Sequence, residues 1–233
     1  MILFNKGENM KNEILLEENQ DFLNDYIPLL INRVTHSTMS LETDIGDPDI
    51  PKNAIKLKDN MKAFELLLYK LNFNEQLSED LIIDVANIIN RSNMFITDGY
   101  RKVGNTIGGT NILISKPENI RRDLIKLIDD YNNNWNNLDP FLKEAQFHIK
   151  FIRIHPFEDG NGRTARLILN YNLLRKKIAP VILTEDLNEY YQQIIKNYNV
   201  EELAKLLKYQ SFQEDKVINQ LFEEYETAKN KRV

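Results

Sequence analysis

Apolar residues recur along most of this chain at spacings of three and four positions, which is the period of one face of an α-helix. Leu124, Leu127, Ile128 and Tyr131 form one such set, with polar residues between them. The pattern predicts eight helices, several with a proline near the start, where a missing N–H group costs least. They cover residues 12–36, 52–72, 78–93, 117–135, 138–153, 161–177, 185–197 and 200–229. We therefore expect an all-α fold, a helical bundle.

One stretch departs from the helical period. Residues 99–115, GYRKVGNTIGGTNILIS, intersperse glycines and asparagines with short runs that contain β-branched residues. Glycine and asparagine accept the backbone angles of tight hairpin turns, and β-branched residues favour strands. This segment therefore predicts a small two-stranded β-hairpin attached to the bundle.

Composition limits the kinds of partner. A chain of 233 residues suits a single domain, which we assign to residues 1–233. The 35 acidic and 30 basic residues are spread along the chain and leave a net charge of -5, without the basic patch that nucleic-acid binding requires. Cysteine is absent, which excludes disulfides and thiolate metal sites. No segment approaches the roughly 18 apolar residues that cross a bilayer. We expect a cytoplasmic protein without nucleic-acid or membrane partners.

The densest chemistry lies in residues 155–166, HPFEDGNGRTAR. A Gly-Asn-Gly turn that opens a helix lets successive backbone N–H groups converge on one point, and the helix dipole adds to their attraction for an anion. Arg163 and Arg166 are three positions apart, so both guanidinium groups lie on one helix face and can hold phosphate oxygens bidentately. The stretch therefore predicts a phosphate-binding site.

Two further side chains of this stretch suit chemistry at a bound phosphate. Asp159 offers the hard oxygen that a Mg²⁺ ion bridging phosphates would take. His155 accepts a proton near neutral pH without a large pKa change, which suits a general base acting on an incoming hydroxyl. His148 lies two helical turns before His155, but no third ligand accompanies the pair. We therefore predict a core histidine at this position rather than a metal ligand.

Residues 155–166 resemble the signature of the Fic (Fic/Doc) family: His-Pro-Phe, any residue, Asp or Glu, Gly-Asn-Gly-Arg, two residues of any kind, then Arg. Every fixed position is matched. The resemblance implies a Fic-type helical domain with ATP as substrate, His155 as general base and Asp159 as Mg²⁺ ligand. Most family members transfer AMP from ATP to a Ser, Thr or Tyr hydroxyl of another protein. The implied nucleotide-binding residues of this stretch are Asp159, Gly160, Asn161, Gly162, Arg163, Thr164, Ala165 and Arg166.

Two other segments resemble parts of the family's nucleotide site. In Fic proteins a hairpin at the place of residues 99–115, the flap, covers the nucleotide and pairs with the backbone of the protein substrate, a strand-addition mode of recognition. The implied nucleotide-binding residues outside the signature are Ile107, Gly108, Gly109 and Thr110 on the flap and Tyr190 and Tyr191 beside the adenine and ribose. Asn170 resembles a position near the sugar. The alternatives are a plain surface hairpin and ordinary packing or buried polar contacts within the bundle.

Residues 38–42, TMSLE, resemble the Fic inhibitory motif, a Ser or Thr, three intervening residues and then Glu, although Thr43 replaces the usual Gly or Asn after it. On a helix Thr38 and Glu42 would share one face. The resemblance implies that Glu42 pairs with Arg166 where the γ-phosphate of ATP should bind, which would block transfer. The alternative is a solvated helix end with no regulatory part.

The predicted function is that of an autoinhibited protein adenylyltransferase that also modifies itself. The intact Arg163 favours AMP transfer over the phosphotransfer of Doc-type relatives, which carry Lys at this position. Glu42 leaves AMP removal open as an alternative, and a silenced nucleotide-binding module is a third. The resemblance divides the chain into an N-terminal helix with the inhibitory motif (12–50), the flap (99–115), the catalytic loop and helix (155–177) and a C-terminal helix (200–233). Related proteins often pair through helices, so a homodimer is a further expectation.

Overall fold

The computed structural model describes residues 13–15, 19–42, 50–107 and 112–231. These residues form eight α-helices: α1 (Gln20–Ser40), α2 (Ile50–Leu71), α3 (Glu79–Asn90), α4 (Ile120–Asp129), α5 (Pro140–Ile154), α6 (Asn161–Arg175), α7 (Asn188–Lys196) and α8 (Val200–Asn230). Short 3-10 turns occur at Glu13–Leu15, Pro117–Asn119 and Glu185–Leu187, and a wider π-type turn at Asp130–Asn134. The described residues contain no strand, and the predicted all-α architecture is confirmed.

The helices follow the apolar periodicity, and the main difference lies in the first one. α1 begins at Gln20 instead of residue 12, and it ends at Ser40 instead of residue 36, because its buried stripe continues past the predicted end to Thr38. Pro28 lies inside the helix, where it removes one backbone hydrogen bond. The helix nevertheless continues, since Tyr26, Leu30 and Val34 bury the same face on both sides of the proline.

The predicted helix over residues 117–135 is divided into three parts. Pro117 starts a 3-10 turn, α4 follows, and the chain then widens into the turn Asp130–Asn134. There the N–H of Trp135 reaches back five residues to the carbonyl of Asp130 at 3.0 Å. Asn133 and Asn134 donate to the carboxylates of Asp129 and Asp130 at 2.7 and 2.9 Å, so short polar side chains replace the regular helical contacts here.

The predicted hairpin is not formed by the described part of residues 99–115. Residues 99–107 and 112–115 are irregular, and residues 108–111, which include three of the predicted flap positions, lie outside the described residues. Backbone groups at the base of this segment pair with the last turn of α5 and with the loop that follows it. The N–H of Arg101 donates to the carbonyl of Pro156 at 3.0 Å, and that of Ser115 donates to the carbonyl of Arg153 at 3.2 Å.

Helix α6 is the centre of the bundle. It contacts α1, α2, α3 and α5, and its side chains are buried around almost the whole circumference. A helix surrounded in this way is normally apolar, but α6 carries Arg163, Arg166, Asn170 and Asn172 into the interior. Buried polar groups require partners, so the neighbouring elements must supply them.

Helix α1 is fastened to the rest of the bundle at two levels. Near its C-terminus, the hydroxyl of Ser37 donates to the carbonyl of Leu183 at 2.9 Å and accepts from the N–H of the same residue at 2.8 Å. Farther back, Arg33 makes two hydrogen bonds to the carboxylate of Glu214 on α8, at 2.9 and 2.5 Å. The end of α1 is therefore held beside α6.

The pair between Arg33 and Glu214 gives an asymmetric stability prediction. Glu214 has a 2% exposed side chain and Arg33 a 33% exposed one, so removing the arginine leaves the more deeply buried charge alone. We expect Arg33→Met to lower the free energy of unfolding by about 2–3 kcal/mol, less than a fully buried pair because Arg33 reaches solvent. The measurement is chemical denaturation at pH 7.

Glu214→Leu should lower the free energy of unfolding less, because the remaining arginine can hydrate. The double variant Arg33→Met, Glu214→Leu should be more stable than Arg33→Met alone. If the two single losses simply added, the partners would be independent and the pair would not fasten α1.

Candidate active site

A sharp turn between α5 and α6 carries the catalytic candidates. α5 ends at Ile154, and His155 follows in the left-handed region with φ +50°. The side chain of Asn161 closes the turn, since it accepts from the N–H of Phe157 and donates to its carbonyl, both at 2.9 Å. Phe157 is 2% exposed, and its ring stacks on that of Tyr100. The turn is therefore anchored in the core.

Gly160 is required at the start of α6 for two reasons. Its φ is +75°, and a Cβ at this position would lie 2.9 Å from Cγ2 of Ile89. Neighbouring Asn90 donates to the carbonyl of Asp159 at 2.9 Å, which holds the turn close against α3. Positive φ and close approach both exclude a larger residue.

The N-terminus of α6 presents an anion-binding arrangement. The first helical hydrogen bond runs from the N–H of Thr164 to the carbonyl of Gly160, at 2.9 Å. The amides of residues 161–163 therefore precede the first bonded turn and have no acceptor within the helix. The N–H of Gly160 already donates to the carboxylate of Asp159 at 2.7 Å. The helix dipole adds partial positive charge at this end.

Asp159 pairs with Arg163. An oxygen of the carboxylate lies 2.8 Å from Nη2 of Arg163, one helical turn later. Burial acts to raise the pKa of Asp159, but Arg163 and the N–H of Gly160 outweigh it and lower the pKa below its ordinary value. The carboxyl is therefore ionised at neutral pH, the state that a metal ligand needs.

Glu42 lies between the two arginines of the signature. One carboxylate oxygen contacts Nη2 of Arg166, and the other is 3.5 Å from Nε of Arg163. Arg166 also donates to the backbone carbonyl of Thr38 at 2.9 Å. Both guanidinium groups are almost fully buried, with side-chain exposures of 2% and 5%. The structure thus adds Arg163 to the predicted pairing of Glu42 with Arg166.

The position of Glu42 corrects one expectation. Thr38 and Glu42 do not share a helix face, because α1 ends at Ser40 and Leu41 caps it. Glu42 follows in a turn, and its N–H donates to the carbonyl of Met39 at 3.0 Å. Its carboxylate therefore reaches the arginines from a turn, while Thr38 contributes its backbone carbonyl.

Tyr191 and His148 lie behind Arg166. The Tyr191 hydroxyl is 2.6 Å from Nε2 of His148, and both residues are 1% exposed. Burial, together with the neighbouring Arg166 charge, lowers the pKa of His148 to about 3. Burial acts to lower the pKa of Arg166, but Glu42 and Tyr191 raise it above its ordinary value. His148 is thus a neutral core histidine with a partner.

The remaining predicted residues lie apart from the arginines. Tyr190 is exposed on α7, and its hydroxyl donates to Glu202 at 2.5 Å. Asn170 accepts from the N–H of Val181 at 2.7 Å and donates to its carbonyl at 3.1 Å. This is the buried polar contact that was the alternative to a position near the sugar. Ile107 packs partly buried against the core. Nucleotide binding by Tyr190, Tyr191 and Ile107 stays a prediction, as it does for Gly108, Gly109 and Thr110 outside the described residues. Glu158, in the variable position of the signature, accepts from the hydroxyl and the N–H of Thr97 at 3.3 and 3.4 Å.

The surroundings of His155 keep its imidazole neutral at pH 7. Burial lowers its pKa to about 4, and the positive charge of Arg101 acts in the same direction. The carbonyl of Ile152 and the charge of Asp159 raise the pKa, but less than burial lowers it. At pH 7 the ring is therefore unprotonated and can accept a proton. Arg101 is a residue near the site that the sequence did not reveal.

Two negative findings apply to the described residues. Nowhere among them do three His, Asp or Glu side chains gather as a ready-made metal site. None of the helices in this part of the chain combines the length and the apolar content that crossing a membrane requires.

The glycine turn, two buried arginines and a neutral histidine meet at one helix N-terminus of this helical bundle, an arrangement that suits a phosphate-bearing ligand. Residues 76–173 match the model of the Fic/DOC family. The chain therefore carries a Fic/DOC domain, as predicted from the signature.

Relatives and solved structures agree with this assignment. Protein adenylyltransferase fic-1 of Caenorhabditis briggsae is 27% identical over 69% of this chain and 33% of its own length. Protein adenylyltransferase Fic of Nematostella vectensis is 30% identical over 70% of this chain and 40% of its own length. The chain thus matches well under half the length of these relatives. The crystal structure of a Fic domain containing signaling protein from Bacteroides thetaiotaomicron superposes with a TM-score of 0.75 at 19% identity, over 86% of this chain and 90% of the other. It shares the fold.

Alanine substitutions at three glycines test separately the two requirements at Gly160, positive φ and close approach to Ile89. Gly104 has open space around it, Gly99 has φ +81° with open space, and Gly160 has both positive φ and a close neighbour. We expect alanine to change the free energy of unfolding by at most about 0.5 kcal/mol at Gly104, to lower it by about 1–2 kcal/mol at Gly99, and to lower it by more at Gly160. Chemical denaturation measures all three, and equal losses at Gly99 and Gly160 would show that the contact with Ile89 costs nothing.

The low pKa of His155 predicts a pH-dependent stability. The ordinary value is 6.5 and the folded value about 4, so the unfolded chain binds more protons between these values and stability falls as the pH drops below 6.5. His155→Asn, which tolerates positive φ, should remove this contribution. Between pH 7 and 5 the variant should lose about 2 kcal/mol less unfolding free energy than the parent. His36→Asn, at an exposed position, is the control. An equal loss in parent and variant would mean that His155 titrates normally.

Proposed function

We propose that this chain transfers AMP from ATP to a Ser, Thr or Tyr hydroxyl of a protein, itself included, and that Glu42 holds it inactive. The observation that carries the proposal is the single carboxylate placed on both signature arginines at the N-terminus of α6. The relatives named protein adenylyltransferase support the reaction class.

The residues divide the reaction between them. The amides at the start of α6 and the guanidinium groups of Arg163 and Arg166 bind the phosphates of ATP. The target hydroxyl gives its proton to the neutral imidazole of His155, and its oxygen bonds to the α-phosphorus. The bond between the α-phosphorus and the bridging oxygen breaks, and pyrophosphate leaves. General-base catalysis of this kind contributes about 10²–10⁴-fold.

Mg²⁺ fits this site through Asp159. The carboxylate is ionised and its side chain is 44% exposed, and Mg²⁺ is commonly held by one or two carboxylates together with substrate phosphates. The described residues offer no ready-made ligand cluster, so the ion would bind together with the nucleotide. Bound there, Mg²⁺ would neutralise phosphate charge. Asp159 would then bind the ion in place of its present partner, Arg163.

Inhibition follows from competition for the same cations. Glu42 occupies both guanidinium groups, so the terminal phosphate of ATP must displace a carboxylate to be held. Removing one partner of a buried ion pair typically costs about 3–5 kcal/mol. Glu42 is 27% exposed, so its contribution lies below that range but is still large enough to misplace the phosphates.

The same carboxylate supports AMP removal as a second candidate. Glu42 is partly exposed beside the phosphate-binding end of α6, where a carboxylate can position water for attack on a protein-bound AMP. Phosphotransfer and a silenced regulatory module are further alternatives. ATP labelled at the α- or the γ-phosphate distinguishes AMP transfer from these two alternatives. AMP transfer moves the α-label to protein, phosphotransfer moves the γ-label, and a silenced module moves neither.

Glu42→Gly should activate the protein. Without the carboxylate, Arg163 and Arg166 are free for the terminal phosphate, and self-modification with α-labelled ATP should rise at least about tenfold, in keeping with a pair worth several kcal/mol. Adding Arg166→Ala should abolish the gain, because the cation that Glu42 blocks would then be absent. Single-turnover labelling of the purified proteins measures both effects.

Three controls accompany this experiment. Ser40→Gly introduces glycine near the same helix end without removing the carboxylate, and it should not activate. Glu42→Gln keeps the size of the side chain, so partial activation would show that charge is what blocks the site. Glu42→Gly, His155→Ala should bind ATP and transfer no label. If Glu42→Gly changed neither labelling nor ATP affinity in the folded protein, inhibition by Glu42 would be refuted.

A further inference from the structure

Arg101 is a buried cation without an anionic partner. Its side chain is among the largest fully buried ones, with 2% exposure. No carboxylate of the described residues forms an ion pair with it, whereas Arg163 and Arg166 both contact Glu42. Burial lowers the pKa of Arg101 below its ordinary value. Burying a charge costs free energy unless hydrogen bonds satisfy it, so the acceptors of Arg101 indicate its role.

All three acceptors of the Arg101 guanidinium are backbone carbonyls. Nε donates to the carbonyl of His155 at 2.7 Å, and Nη1 donates to that of Val103 at 2.8 Å. Nη2 donates to the carbonyl of Ser115. The planar fork of an arginine reaches three acceptors in fixed directions, which a lysine ammonium cannot do in the same way.

These carbonyls belong to two different parts of the proposed active site. Val103 lies near the start and Ser115 at the end of the segment that corresponds to the flap, and His155 is the proposed base. The backbone N–H of Arg101 adds a bond to Pro156, and that of Ser115 adds one to Arg153. One side chain therefore joins both ends of the flap segment to the residue that carries the imidazole.

Resting on the proposed function, we propose that Arg101 is a positioning residue for transfer: it holds the two ends of the flap segment and the backbone of His155 in one fixed arrangement. The flap would place the target hydroxyl, and His155 must meet that hydroxyl at hydrogen-bonding distance. A displacement of about 1 Å between reacting groups can reduce a rate by roughly 100-fold. The phosphate contacts of α6 do not depend directly on this arrangement, because none of the three acceptors of the Arg101 guanidinium lies on α6.

The test uses Arg101→Met and Arg101→Lys in the Glu42→Gly protein. Arg101→Met removes all three bonds, and turnover should fall roughly 100-fold, while ATP affinity by calorimetry should fall far less, because the amides and arginines of α6 stay in place even if the flap loosens over the nucleotide. Arg101→Lys keeps the charge and part of the bonding, so it should retain intermediate turnover. Lys62→Met, at an exposed position on α2, should match the parent. Thermal unfolding identifies a variant that fails to fold, and Arg101→Lys then decides the question.

Amide hydrogen exchange gives a readout independent of activity. The N–H of Ser115 should lose protection in both Arg101 variants, because its bond to Arg153 depends on the held base of the flap segment. Lost protection with unchanged turnover would make Arg101 a structural brace only and overturn the proposal, as would unchanged protection. If the Glu42→Gly parent transferred no AMP, the proposed function would fail and the positioning proposal that rests on it would be overturned with it. The exchange data would still show whether Arg101 holds the segment.

Discussion

The structure depends on the anion that two buried guanidinium groups require. Helix α6 is enclosed by the bundle, yet it carries Arg163 and Arg166 into the interior at its positive end. Burying such charges is costly unless an opposite charge accompanies them. Glu42 supplies it here, and under the proposed function phosphates would supply it in the active protein. Inhibition and nucleotide binding then satisfy one and the same electrostatic demand.

The burial energy of α1, compared with the energy of one ion pair, indicates which part of the chain would move if phosphate replaced Glu42. Phe22, Tyr26, Leu30 and Val34 bury one face of α1 along most of its length, and each large apolar side chain contributes about 1.5–3 kcal/mol through burial. Removing α1 would lose several such contributions, more than one ion pair supplies. Glu42 lies beyond the last helical residue, in a turn. Movement of that turn is thus the less costly way to free the arginines.

The sequence predicted those features that depend on neighbours along the chain. Apolar periodicity located every helix, and the spacing within residues 155–166 located the phosphate-binding turn, because both are local patterns. The Glu42 contact with Arg163 joins residues far apart in the chain, and the helix end at Ser40 depends on burial of Thr38. Arg101 escaped prediction for a different reason: its acceptors are backbone carbonyls, which every residue has and no sequence pattern marks.

The buried arginines of this protein differ in the nature of their acceptors, and this difference assigns their parts. The three carbonyls around Arg101 are neutral and belong to the main chain, so no ligand replaces them without unfolding the segment. Arg166 has a mixed set, one fixed carbonyl from Thr38 and one carboxylate that ends a side chain. A phosphate can replace the carboxylate while the carbonyl stays. Arg101 is accordingly suited to hold geometry constant, and Arg166 to respond to whichever anion is present.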